Sequence, residues 1–199
     1  MALSLLCSTF MGLKSAWADS VIHAFDAGNG LNHISVNPSN NGIHLTNFFS
    51  NAVSAVDHTS NQVVNTKGIG DSPVSIAFSP SNKDVHVANP SSEPVYVIDR
   101  CYDKVIHTLL FHNDCTPFTS VFNPTNNGIH VSDAFSNTIF IIDSFSNKVV
   151  ATMHKGNLPR SIALNPTNND MYVTNFGVNK IPVMTATSPP IQQKVQKQQ

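Results

Sequence analysis

The chain predicts an all-β fold: a β-propeller of four-stranded blades, about four in number, with an N-terminal strand closing the last blade. Three markers recurring in phase predict it. The proline of an Asn/Ser-Pro turn recurs at Pro38, Pro80, Pro124 and Pro166, with spacings of 42, 44 and 42. The residue closing the next apolar segment, Asn47, Asn89, Asp133 and Asn175, keeps those spacings. An aspartate follows a third apolar segment at Asp57, Asp99 and Asp143, spaced 42 and 44. A period of about 40–45 residues holding four short strands is that of a propeller blade.

The strands follow from apolar runs bounded by turn formers. In the second unit they span residues 74–78, 85–87, 95–98 and 105–109, rich in β-branched residues and too short for helices. Ser79-Pro80-Ser81-Asn82 and Asn89-Pro90-Ser91-Ser92 separate them, and Pro, Asn and Ser are the residues that tight turns select. The blade units run over about 31–73, 74–117, 118–159 and 160–185, and residues 21–25 align with 149–153 as an outermost strand. The last unit offers only three strands, 161–164, 171–174 and 181–184, and Pro182 inside the third removes a ladder N–H. The strand at 21–25 is the natural fourth, because ring closure removes sheet edges.

These residues carry a resemblance. The tetrapeptide Tyr172-Val173-Thr174-Asn175 and its siblings ending at Asn47, Asn89 and Asp133 are similar to the repeat of the YVTN-type β-propeller family, over roughly residues 20–184. The resemblance implies a propeller. Its relatives include cell-surface proteins and enzyme-like propellers, and most carry more repeats than this chain. Three assemblies satisfy the repeat count: a closed four-bladed ring, a half-ring completed by a second copy into eight blades, or a truncated, non-functional fragment.

The ends read differently. Residues 1–18 have an apolar run and an Ala16-Trp17-Ala18 cleavage pattern, which resemble a secretory signal peptide. The run is far shorter than the roughly 20 residues that span a bilayer. The expected location is therefore extracellular or at the cell surface, with no membrane insertion of the mature chain. Residues 186–199, two prolines and a Gln/Lys tract, read as a disordered tail.

Composition narrows the function classes. Charged residues are 12% of the chain, about half the usual share of roughly 25%. The net charge of −1 leaves no footprint for nucleic acid. Cys101 and Cys115 flank a strand of about seven residues, some 20 Å at roughly 3.3 Å each, beyond the ~7 Å that a disulfide tolerates. Nine histidines raise the question of a metal. His44, His86 and His130 share one repeat position, however, and equivalent atoms on successive blades diverge beyond the ~2 Å bonds that zinc requires. His112 and Cys115 have no acid in register for a nucleophilic pair. The aspartates that open the third turn of each unit read as acceptors for turn N–H groups. No cofactor, metal or catalytic residue is expected.

A binding site is expected where the fourth-to-first and second-to-third loops gather at the channel mouth, since loops on a rigid scaffold concentrate binding residues. The residues that vary there are Asn32, His33, Phe118 and Arg160 at the inner strands, with Phe48, Phe49, Phe135 and Phe176 in the loops. An aromatic rim with one arginine suits an acidic or glycan ligand, or a protein partner. The expected function is a non-enzymatic exported propeller acting as a binding or scaffold module. The alternative is a propeller enzyme or enzyme subunit, lactonase-like or associated with an oxidoreductase.

Overall fold

The computed structural model describes residues 24–92, 94–99, 104–111, 115–154 and 156–185. Among them every regular element is a strand. Blade A contains β1 (Leu31–Val36), β2 (Ile43–Asn47), β3 (Ala52–Asp57) and β4 (Gln62–Gly68). Blade B contains β5 (Ser75–Phe78), β6 (Val85–Ala88), β7 (Val95–Ile98) and β8 (Val105–Leu109). Blade C contains β9 (Pro117–Asn123), β10 (Gly128–Asp133), β11 (Thr138–Asp143) and β12 (Lys148–Met153). Blade D contains β13 (Pro159–Leu164), β14 (Asp170–Asn175) and β15 (Val183–Thr185). Each sheet is antiparallel in sequence order, and the inner strands β1, β5, β9 and β13 pack one on the next. The chain is a β-propeller, as its repeat predicts.

Asparagine-rich turns make this meander affordable in so few residues. Asn41, Lys83, Asn127 and Asn169, one per blade between the first and second strands, all have φ between 53° and 68°. Asn51, Asn61, Asn137 and Asn147 have φ between 51° and 56° in later turns, and asparagine tolerates this left-handed region better than most residues. The turn aspartates cap the N–H groups left over. Asp57 Oδ1 accepts from the backbone of Ser60 at 2.8 Å and Thr59 at 3.1 Å, and these bonds hold its carboxyl below the usual range. Asp143 Oδ1 accepts from Phe145 and Ser146 at 2.7 and 3.0 Å.

Every blade has two unlike faces, and the core lies between blades. Ile76, Phe78, Val85, Val87 and Ile98 of blade B face blade A and meet Val53 and Ile69. The opposite face of B, with Ala77, Ala88 and Val95, meets Ile129, Val131, Phe140 and Ile142 of blade C. Ile139 of C then meets Ile162, Met171 and Val173 of D. Side chains alternate along each strand, so both alternations of β6, β7, β10 and β11 face a neighbouring blade. All four strands are buried almost throughout.

The expected third strand of the last unit, 181–184, is corrected to Val183–Thr185. Pro182 cannot donate to the ladder, so pairing begins after it. The proline's carbonyl still accepts from Val173 N at 3.3 Å. The expected closing strand at 21–25 lies mostly outside the described residues, and the described Ala24 and Phe25 are not in a strand. The expected signal segment, the C-terminal tail, His112 and Cys101 also lie outside them.

His44, His86 and His130 are buried in blades A, B and C, on the faces turned toward the following blade. His44 stacks on Phe78 at 6.1 Å, and His86 Nε2 meets Asn147 Oδ1 at 3.0 Å. Burial disfavours the charged ring and lowers each pKa from the ordinary 6.5 to about 4. As pH falls through that window the unfolded chain takes up protons that the folded chain refuses. This stabilisation is therefore complete above 6.5 and is lost toward 4. Melting temperature is expected to decline across pH 6.5 to 4, and His130→Phe to make that decline shallower. The same slope in wild type and variant would contradict this assignment.

Candidate functional site

The inner strands carry the candidate site, and a repeated bridge sets their spacing. One repeat position near the start of β1, β5 and β9 reaches the inner strand of the next blade. His33 Nδ1 accepts from Ile76 N at 3.3 Å. Ser75 Oγ accepts from Ser120 N at 3.0 Å. Thr119 Oγ1 donates to the Arg160 carbonyl at 2.6 Å. The position before it in the repeat is Asn32, Val74, Phe118 or Arg160. Residues 42 or 44 apart in sequence thereby become neighbours on one rim.

The structure brings three of the expected site residues together. The Arg160 guanidinium lies 4.6 Å from the Phe118 ring centroid in blade C and 4.5 Å from the Phe176 ring centroid in the β14–β15 loop. Both separations are within the ~6 Å over which a ring face attracts a cation. Two rings hold the guanidinium carbon between them. Among the described residues no carboxylate pairs with it, and Arg160 and Phe176 are both exposed. A planar fork held in place with its donors unused is an arrangement for bidentate recognition of a carboxylate or phosphate.

The other expected residues occupy two further places. Phe48 and Phe49 form an edge-to-face pair at 5.3 Å in the β2–β3 loop, with Phe49 exposed. Phe135 is exposed at the equivalent position of the β10–β11 loop. Phe49, Phe135 and Phe176 thus present three phenylalanines from loops of one kind, each 71% exposed; burying such rings would be favourable. Asn32 and His33 join Leu31, Ile34 and Leu45 around a shallow hollow of about 200 Å³ on blade A. His33 is held by its bridge to Ile76, and desolvation lowers its pKa, so its Nδ1 serves the blade junction. Ser75, Thr119 and Ser120 were missed as rim-positioning residues. For Ser75 and Thr119 the signal is the polar residue at one repeat position, His33, Ser75, Thr119 or Ser161.

Among the described residues no three His, Cys, Asp or Glu side chains gather in a group able to hold a metal. Cys115 is buried in the junction of blades B and C.

With this geometry in view, the solved structures that match are propeller proteins. A hydrazine synthase from Kuenenia stuttgartiensis matches with a TM-score of 0.71 and 18% identity, over 85% of this chain and 49% of that one. The dihydro-heme d1 dehydrogenase NirN matches at 0.69 and 12%, over 79% and 35%. A catalytically inactive virginiamycin B lyase from Staphylococcus aureus, solved with quinupristin, matches at 0.67 and 17%, over 82% and 56%. The chain therefore spans about half the length, or less, of these neighbours. No protein-family model matches the chain, and no curated protein matches its sequence. The neighbours support the propeller fold.

Proposed function

We propose that the chain is a non-enzymatic, exported propeller that acts as a recognition module at the cell surface or outside the cell. Its ligand carries a carboxylate, and an acidic glycan fits best. The observation that carries this reading is Arg160, held between Phe118 and Phe176 with its N–H edge unpaired among the described residues. A sugar carboxylate would accept two parallel bonds from that edge. The exposed rings of Phe176, Phe135 and Phe49 offer flat apolar faces for the C–H side of neighbouring sugars.

An enzyme or enzyme subunit is the second reading, favoured by neighbours whose names include a lyase, a dehydrogenase and a synthase. At 12–18% identity those likenesses carry the fold and not the chemistry. A lactone hydrolysis screen separates the two readings. Turnover that survives Arg160→Ala would replace the recognition reading.

Binding to glucuronate-containing oligosaccharides, their neutral counterparts and a poly-glutamate peptide, measured by calorimetry, tests the proposal. Wild type is expected to prefer the glucuronate series. Arg160→Ala should weaken binding at least tenfold, and Arg160→Lys, which keeps the charge without the fork, should recover only part of it. Phe176→Ala should weaken the glycan more than the peptide. Equal binding of neutral and acidic sugars, or no effect of Arg160→Ala, would overturn the proposal.

A further inference from the structure

We infer that the outer faces of blades A and D are a docking surface for a second copy of this chain, joined head to tail at both ends. The two four-sheet arrays then close one ring of eight blades. This inference does not depend on the ligand proposed above.

The exposed faces are misplaced interior faces. On β1, Ile34 and Val36 are 57% and 53% exposed, whereas Ile76 and Phe78, one period later, are 1% and 5% exposed against blade A. Strand pairing puts Ile34 beside Leu45 and Val36 beside Ile43 on one face. Leu45 and Ile43 pack with Val56 and with Ala27 of the segment before β1, while Ile34 and Val36 stand exposed beside them, with no blade in front of them among the described residues. At the other end Tyr172 is 37% exposed, whereas His44, His86 and His130 at the same repeat position are buried. Val183 is paired with Tyr172 and is 56% exposed, while its equivalent Ile141 is 1% exposed. Ala163 and Ser161 complete that face and are exposed too.

Three observations make a second copy the occupant. First, the junctions A–B, B–C and C–D each join the kind of face left open on D to the kind left open on A. One chain therefore carries both halves of a junction it already makes three times. Second, the inner-strand bridge is left incomplete in the same sense. Ser161 stands where His33, Ser75 and Thr119 reach the next inner strand. Repeat equivalence puts its hydroxyl opposite the backbone of Ile34 in a second copy. Third, the four blades superpose on roughly half of larger propeller chains, 49% of one and 56% of another. Four blades that make up half of an eight-bladed ring have their two end faces on opposite sides. Two half-rings close by a two-fold axis, each D face meeting the other copy's A face, and no surface is left to add a third.

Light scattering on a sizing column with the 199-residue chain is the test, using two double variants on residues already exposed. The wild type should elute at twice the 21.5 kDa chain mass. Ile34→Asp with Val36→Asp, which spoils the A face, should halve that mass, and so should Tyr172→Asp with Val183→Asp on the D face. An unchanged circular dichroism spectrum confirms that each variant is folded. Mixing the two variants should restore a dimer, because one intact D face then meets one intact A face. A monomeric wild type overturns the inference, as would be expected if the chain covers its own end faces. Double variants that remain dimeric overturn it, and so does a mixture that stays monomeric.

Discussion

A sheet with apolar side chains on both alternations has two faces to remove from water, and a single blade can cover neither. That constraint organises the molecule. Blades B and C, flanked on both sides, bury β6, β7, β10 and β11 almost completely. Blades A and D, each flanked by one blade among the described residues, leave Ile34, Val36, Tyr172 and Val183 exposed. Burial of apolar surface contributes roughly 25 cal/mol per Å², so each added junction stabilises both blades it joins. Stability in such an array is approximately a sum of unit and neighbour terms.

The same packing builds the site. Arg160 belongs to blade D and Phe118 to blade C, and their contact exists because Thr119 ties the two inner strands together. The rim residues are thus placed by the junctions and not by any single loop. The buried histidines belong to this structural layer as well. They sit at the blade junctions with depressed pKa values, apart from the rim.

Much of this was legible in the sequence, for a physical reason. A repeat copies the turn residues that set backbone geometry, so Pro38, Asn47 and Asp57 and their equivalents mark the period. The rim residues were legible as positions, since phasing the repeat aligns Asn32, Val74, Phe118 and Arg160. Their contacts were not, because distances across a junction depend on the rotation between blades, which no local pattern encodes. The start of β15 was misjudged at Pro182, where an apolar run continues through a residue that cannot pair. The exposure of Ile34 and Tyr172 was also hidden, because an apolar residue in phase looks the same whether or not a blade stands opposite.

The most direct test of the central claim, that blade faces require a neighbour, is hydrogen exchange resolved by segment at high and at low protein concentration. The account predicts that β6, β7, β10 and β11 keep the same protection at both concentrations. It predicts that β1, β13 and β14 are protected at high concentration and lose protection on dilution, as the end faces return to water. Protection that is independent of concentration throughout, with β1 and β14 as slow to exchange as β6 and β10, would contradict it.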